Sequence, residues 1–549
     1  MTSLPTLLYT ASQVQAMDRY IIDSGAVTGY ELMNRAGRAT FRVLLRHWPE
    51  TRNIIVFCGG GNNGGDGYII AGLARCKGIS ATVLALVNPD KLHGDALQAY
   101  HWAIETGVTV QTQALVDAPG ISAAFSAVCA GEFSNGGARR EATVIVDAML
   151  GTGATGPLRA PFDSAVRVIN QSACPVVSVD IPTGVSADSG VVSHLAVHAH
   201  VTVTYIAMKQ GLLTGAAPNY TGKLYFDDLA VSPQTLANFR PASKRAALES
   251  WIAALPVRRV ADHKGRFGRI IVVGGDLGMG GAAILASEAG ARSGAGLISV
   301  ATRSAHLTAV LSRRPEIMAK GVESGEELVH WLEEKLDQGQ FTLVVGPGLG
   351  QGDWGTAIFN AVQTFLKSCY EKGIDLPSVW DADALNLISR SAQTEQGWMQ
   401  RAVATPHPGE AARLLQCSVS DIEADRFAAV QKLSSRLGCT IVLKGAGTLV
   451  SALNCGAEGK HGDIWLANTG NPGMASGGMG DVLSGIIGAL LAQGMPPLEA
   501  AVLGVLVHGE SANLAIRERG MVSLLAGDVV DAIGSALSRH ASEFALVSP

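Results

Sequence analysis

Asn53-Ile-Ile-Val-Phe-Cys-Gly-Gly-Gly-Asn-Asn-Gly-Gly-Asp-Gly67 is the stretch that decides the fold class. Its first six residues are mostly apolar and partly β-branched, as in a strand buried on both faces of a parallel sheet. Nine residues rich in glycine follow at once. Ligands of open parallel sheets sit outside the carboxyl ends of the strands. Glycine there lets the backbone approach a ligand closely and adopt positive φ. The run contains Gly-x-Gly-x-x-Gly, yet it lacks the acidic residue that a dinucleotide fingerprint places about 20 positions on, at the end of the next strand. The next strand-like run, Thr82–Val87, ends in Asn88 and Pro89. The run is therefore a phosphate-friendly turn of another kind, with an Asn-Asn-Gly-Gly-Asp core.

The same pattern recurs along the chain. Strand-like runs read at Thr143–Leu150, Val176–Ile181, Val201–Ile206 and Lys223–Phe226, with Ala/Leu-rich helical stretches between several of them. Ahead of them, Ser12 and Gln15 have the spacing of a capping box, and Val14, Met17, Ile21 and Ile22 give a helix its apolar face. From Ser232 to Asp262 the chain turns polar and basic and reads as a linker. Strands resume at Arg269–Gly274, Leu297–Ala301, Thr342–Val345, Ser378–Trp380, Val403–Thr405, Thr440–Leu443 and Thr448–Leu453. The class is α/β, in two domains, 1–236 and 237–549, the first a three-layer αβα sandwich.

Of 549 residues, 65 are glycine and 16% are charged, against about 7% and about 25% in typical proteins. With 47% hydrophobic residues, disorder is excluded as the main state. A net charge of −5 argues against a partner bound by phosphate neutralisation, such as nucleic acid. The eight cysteines form no Cys-x-x-Cys pair and read as buried, reduced thiols of a cytoplasmic protein. The apolar tract Leu483–Val507 is interrupted by Gln493, Pro496, Pro497 and Glu499, so it reads as a buried helix pair and not a membrane span.

Two constellations carry chemistry. In the first half, strand ends present Asn63 with Asp66, Asp147, and Asp180 with Thr183 to one crevice. Such oxygen groups suit a hard cation or acid–base work by a carboxylate, and each Asp is alternatively a helix cap. In the second half, Asn471-Pro-Gly-Met-Ala-Ser-Gly-Gly-Met-Gly-Asp481 runs straight into the aliphatic stretch Val482–Leu491. A glycine-opened helix start is an anion site, and an Asp there is poised to take a proton from an attacking hydroxyl. Lys444-Gly-Ala-Gly-Thr448, His407-Pro-Gly-Glu-Ala-Ala-Arg413, Gly346-Pro-Gly-Leu-Gly350 and Asp381 with Asp383 converge on the same sheet edge. His194, His198 and His200 are spaced like metal ligands but lack a companion Cys or carboxylate, so they read as structural. Met474 and Met479 read as packing residues.

Leu32-Met-Asn-Arg-Ala-Gly37, Gly61-Asn-Asn-Gly-Gly-Asp66, Asp147-Ala-Met-Leu-Gly-Thr-Gly153 and Val179-Asp-Ile-Pro-Thr-Gly184 resemble the epimerase domain of the bifunctional NAD(P)H-hydrate repair enzymes. His263-Lys-Gly265, Gly346 to Gly350, Thr405 to Glu410, Lys444 to Thr448 and Gly473 to Asp481 resemble their ADP-dependent dehydratase domain. The resemblance covers nearly the whole chain. It implies a Rossmann-like N-terminal domain and a ribokinase-like C-terminal α/β domain. It also implies that the R and S hydrates of NADH and NADPH are interconverted at ring carbon six, and that the S form is then dehydrated at the expense of ADP.

By the same resemblance, Asn62, Asn63, Gly64, Gly65, Asp66, Gly151, Thr152, Gly153, Ala154, Thr155, Gly156, Pro157 and Asp180 contact the hydrate in the first domain. Asp180 is catalytic there, and Asn63, Asp147 and Thr183 hold a potassium ion (K+). In the second domain, Ala282, Gly348, Gly350, His407, Pro408, Gly409, Glu410, Ala411, Ala412, Arg413 and the catalytic base Asp481 face the hydrate. Lys444, Gly445, Ala446, Gly447, Thr448, Asn471, Pro472, Gly473, Met474, Ala475, Ser476, Gly477, Gly478, Met479 and Gly480 surround ADP, which carries Mg2+. The implied partners are small molecules (NADHX, NADPHX and ADP), with no nucleic acid or membrane, in a homo-oligomer. Thr183, His200 and Met279 stand where relatives have Ser, Asp and Tyr. The alternative is a ribokinase-like kinase for a vitamin or sugar alcohol, with an N-terminal nucleotide-binding module.

Overall fold

Residues 53–58 form a strand whose side chains are all buried and alternate between faces. Ile54, Val56 and Cys58 enter one apolar core, Ile55 and Phe57 another. A strand with two cores lies in a sheet between two helical layers. The computed structural model describes residues 4–112, 117–131, 142–153, 156–391, 397–453 and 461–541. It divides into two compact units, Met1–Ser243 and Lys244–Pro549.

The first unit holds seven parallel strands. Their order is Thr109–Gln111, Ser80–Ala85, Asn53–Cys58, Thr143–Ala148, Val176–Val179, Val201–Tyr205 and Lys223–Asp227. Ala11–Asp23, Gly29–His47, Asn62–Cys76 and Gly94–Glu105 cover one face; Ala118–Gly131 and Phe162–Gln171 cover the other. This is the expected three-layer, Rossmann-like sandwich. The short edge strand Thr109–Gln111 gave no sequence signal, because its three residues are only partly buried.

Two local readings are corrected. The capping box is Thr10 with Gln13, two residues before the pair read from spacing. The glycine run is also not all turn. The helix begins at Asn62 and carries Gly64, Gly65 and Gly67 inside it. Space is the reason at Gly64, where a Cβ would lie 2.1 Å from the Gly59 carbonyl oxygen. Gly64 and Gly67 press this helix onto the strand end that precedes it, and Gly65 makes room for Met33.

The second unit has parallel strands in the order Met318–Gly321, Leu297–Thr302, Arg269–Val273, Thr342–Val345, Ser378–Trp380, Ala402–Ala404 and Thr440–Leu443. Thr448–Leu453 and His461–Ala467 extend the sheet antiparallel. Gly280–Arg292, Met479–Ala492, Pro497–Arg519 and Ala526–Ala541 pack their apolar residues against Ile270, Val272, Val344, Val379, Val403 and Val442. The unit is ribokinase-like α/β. Its helices Met479–Ala492 and Pro497–Arg519 are the buried pair read from the tract Leu483–Val507, and no described helix is long and apolar enough to cross a membrane.

The stretch read as a linker contains a strand, Ser243–Arg245, whose Lys244 and Arg245 pair with Trp465 and Leu466. Its three residues are too few, and too polar, to show an apolar run. Lys244 stacks 5.2 Å from the Trp465 ring centroid and pairs with Asp463. Among the described cysteines, Cys76 and Cys417 are exposed, contrary to the reading of uniformly buried thiols.

Candidate active sites

In the first unit a cavity of about 490 Å³ opens at the carboxyl ends of the strands. Asn62, Asn63, Asp66, Gly151, Thr152, Gly153 and Asp180 line it. Gly64 and Gly65 do not; a Cβ on Gly65 would strike Met33, so that glycine is a packing position. Gly156 and Pro157 lie outside the lining, and Ala154 and Thr155 lie outside the described residues. Asp18, Tyr205, Ile206, Lys209 and Leu229 also line the cavity, unforeseen from sequence.

Six described non-glycine residues have positive φ. Asp180, Ile206 and Leu229 among them line this cavity, and Ala382 follows Asp381 in the second unit. Non-glycine residues in that region store strain, which concentrates at functional sites.

The Lys209 side chain is buried and its ammonium donates to Asp180, to Thr204 Oγ1 at 3.0 Å and to the Tyr205 carbonyl at 3.0 Å. Asp180 also accepts from Thr204 Oγ1 at 3.0 Å. Burial, reinforced by the charges of Asp180 and Asp18, pushes the Asp66 carboxyl well above the usual carboxylate range. Asp66 therefore holds a proton more readily than an exposed carboxyl does, in the same cavity as the salt bridge between Asp180 and Lys209.

Asp147 and Thr183 lie behind the cavity wall, both buried. Asp147 Oδ1 accepts from Thr183 Oγ1 at 2.7 Å; Oδ2 accepts from the Thr183 amide and Ser178 Oγ, each at 2.9 Å. Thr183 Oγ1 accepts in turn from the Leu150 amide at 3.1 Å. The Asn63 amide nitrogen is buried without a partner, and turning that amide over puts oxygen in its place. His200 Nδ1 accepts from the Val176 amide at 3.1 Å, which gives this departure a structural role at a strand start. His198 stacks on Tyr220 at 4.4 Å.

The second site is built where the helix Met479–Ala492 begins. Its N-cap, Gly478, has φ 87°, and a Cβ there would lie 2.7 Å from Leu285 Cδ1. The positive φ is what favours glycine there. No side chain caps this helix, so its first amides are left for an anion. A Cβ on Gly480 would lie 3.3 Å from Lys444 Nζ and 3.4 Å from Asp381 Oδ2. Cation and carboxylate therefore stand against the helix start.

Asp381 is fully buried. It accepts from Lys444 Nζ at 2.8 Å, Thr405 Oγ1 at 2.8 Å and Ser484 Oγ at 2.6 Å. Burial alone would raise its carboxyl; Lys444 and the three donors outweigh it and hold the group below the usual range. Asp481, in the first turn, is pushed up to about 7 by burial and then by Asp381, against the pull of Lys444. Glu410 is likewise pushed up to about 7 by burial, with Lys444 opposing and Asp381 adding. It caps its own helix through the His407 amide at 2.9 Å, and its Oε2 stands 3.9 Å from Lys444 Nζ.

Gly348 and Gly350 pack against Met279, and Gly348 also against Ala282. Asp383 accepts from the Gly350 amide at 2.9 Å and fixes that loop. Arg413 donates to Asn386 at 2.8 Å. Asn471 Oδ1 accepts from the Gly473 amide at 3.0 Å, folding the turn ahead of the helix. Met479 is buried and Met474 packs against the same core, as packing residues do. Sequence reading missed Ser484; the signal was a lone hydroxyl one turn after Asp481 in an aliphatic helix.

A family model described as NAD(P)H-hydrate dehydratase matches residues 270–534, and one described as YjeF-related protein N-terminus matches 29–211. The Bifunctional NAD(P)H-hydrate repair enzyme Nnr of Coxiella burnetii is 40% identical, over 95% of this chain and 98% of that protein. The Escherichia coli protein of the same name is 38% identical, over 96% of this chain and 93% of that protein. A solved structure of the Bacillus subtilis ADP/ATP-dependent NAD(P)H-hydrate dehydratase, co-crystallised with ATP/Mg2+, is 28% identical over 54% of this chain and 97% of that one, with a TM-score of 0.43. Matched along both its units and almost end to end, the chain belongs to the bifunctional NAD(P)H-hydrate repair enzymes.

Proposed function

We propose that the first unit interconverts the R and S hydrates of NADH and NADPH, and that the second dehydrates the S form with ADP. The observation that carries this reading is the second site itself. A carboxyl poised near neutrality, Asp481, sits in the first turn of an uncapped, glycine-opened helix beside Lys444.

Hydroxide is a poor leaving group. Asp481 takes the proton of the ring hydroxyl, and the freed oxygen attacks the terminal phosphorus of ADP, displacing AMP. The helix amides and Lys444 hold the phosphoryl oxygens. Expulsion of phosphate by the ring nitrogen lone pair and loss of the carbon-five proton restore the conjugated dihydronicotinamide. Bound Mg2+ supplies charge neutralisation on the nucleotide phosphates. The loops around Gly348 and Gly350, with Ala282 and the helix start at His407, face the hydrate.

Incubating the protein with NADPH hydrate and ADP tests this. Recovery of the reduced-nicotinamide absorbance is expected. Phosphate transfer to a vitamin or sugar alcohol without that recovery would instead establish the kinase. The kinase reading uses the second site alone and leaves the first cavity without a role, whereas the relatives match both units.

In the first unit, Asp180 is proposed to act at the reacting centre. Asp180→Ala removes the partner of the buried Lys209 ammonium and is expected to slow R/S exchange by about 100-fold. Exchange at the normal rate would remove Asp180 from the mechanism. Asn63, Asp147 and Thr183 are proposed to hold K+, since oxygen donors with a single carboxylate fit a hard monovalent cation. Such an ion supplies a fixed positive charge beside the hydrate. Replacing K+ in the buffer by N-methylglucamine is expected to slow exchange while R-hydrate-independent dehydration of the S form continues. Equal exchange in both buffers would count against the site.

A further inference from the structure

Asp18 lies in the helix Ala11–Asp23, apart from the strand ends and glycine loops that carry the family signatures. Its side chain nevertheless lines the first cavity, with Asp66, Asp180 and Lys209. Its Oδ1 is buried and has no hydrogen-bond partner. A buried acceptor without a donor is costly and calls for an explanation. Asp18 does not cap its helix, which Thr10 and Gln13 do. Lys209 does not serve it either. The three described hydrogen bonds of that ammonium go to Asp180, Thr204 and the Tyr205 carbonyl.

The charged groups around the cavity are Lys209 from the strand Met208–Lys209, Asp180 from the end of Val176–Val179, Asp66 from Asn62–Cys76 and Asp95 from Gly94–Glu105. Burial raises the Asp18 carboxyl to about 6, with Lys209 opposing and Asp180 adding. The group is thus able to give and take a proton near neutral pH.

We propose that Asp18, which lines the cavity and whose Oδ1 has no hydrogen-bond partner, is the acid–base group that acts on the ring hydroxyl of the hydrate during R/S exchange. This rests on the assignment of the first unit as the epimerase. Protonated Asp18 gives its proton to the hydroxyl oxygen on carbon six. The carbon–oxygen bond breaks and its electron pair leaves with water, while the lone pair of the ring nitrogen forms a nitrogen–carbon double bond. Water then adds to the other face of carbon six, the π pair returns to nitrogen, and Asp18 takes a proton from the added water. Atoms and electrons are restored, and only the configuration at carbon six has changed.

The test uses the full chain and separated R and S hydrates of NADPH. Asp18→Asn is expected to slow exchange by about 100-fold or more, with KM for the hydrate little changed. Asp18→Glu is expected to recover part of the rate. Dehydration of pure S hydrate with ADP should be unaltered in both variants. In the unmutated protein, kcat/KM for exchange should fall as pH rises through about 6, because the donor must be protonated, and this limb should vanish in Asp18→Asn. Exchange in 18O-labelled water should place the label on carbon six. These two measurements on the unmutated protein do not depend on the variants folding.

Normal exchange by Asp18→Asn, or exchange without label, overturns the proposal while leaving the epimerase assignment standing. Absence of exchange in the unmutated protein overturns both.

Discussion

Asp481→Asn is expected to lower ADP-dependent dehydration of the S hydrate by about 1,000-fold or more, while R/S exchange continues at the normal rate. The amide keeps the shape of the carboxyl but cannot take a proton from the ring hydroxyl. It also removes a negative charge that faces Asp381, so nucleotide binding should not weaken. The unmutated protein should show the matching pH dependence. Asp481 must be ionised to act as a base, and burial together with Asp381 has raised it to about 7. Dehydration should therefore be full above that pH and fall as pH drops through it. The limb should be missing from the residual rate of the variant. A variant that dehydrates at the normal rate would show that the base lies elsewhere.

The second large effect is expected at Asp381. Asp381→Ala leaves the Lys444 ammonium without its main counter-charge and takes the carboxylate acceptor from Thr405 and Ser484, which keep only the Trp380 and Gly480 carbonyls. Breaking a buried pair from one side costs about 3–5 kcal/mol. The Lys444 side chain keeps one-fifth exposure and stands 3.9 Å from Glu410, so the lower end applies, about 3 kcal/mol. Urea unfolding of the second unit, followed by the fluorescence of the buried Trp380, should report it as a shifted midpoint with an unchanged slope. Asp381→Asn retains hydrogen-bonding atoms and should cost less. A midpoint unmoved by Asp381→Ala would mean that the buried carboxylate contributes nothing net. Dehydration should also fall in Asp381→Ala, because Lys444 loses the bond that aims it at the helix start.

The strand Asn53–Cys58 was readable because full burial on both faces leaves an unbroken apolar run. The strand Ser243–Arg245 was not, because three residues, two of them charged, carry no apolar run and look like a linker. Asn63, Asp66 and Asp180 could be singled out because Asp180 directly follows the strand Val176–Val179 and the other two stand in the first turns of the helix after Asn53–Cys58, where open parallel sheets place ligands. Asp18 and Lys209 could not. One comes from a helix and the other from a two-residue strand, and nothing in a linear pattern brings them to the same cavity.

The glycines show the division most plainly. Sequence alone determined that they mark ligand-facing strand ends in two α/β units, because glycine placement after apolar runs is a local property of the chain. Only the tertiary structure decided which of them face ligands and which serve packing. Gly478 opens the helix that carries Asp481, whereas Gly64 and Gly65 let another helix lie against its neighbours. Only the tertiary structure decided the protonation states as well. Asp381 and Asp481 are both carboxylates near one lysine, yet one is held low and the other raised to about 7. The difference lies in which of them receives three close donors, and that is fixed by residues far apart in the chain meeting in space.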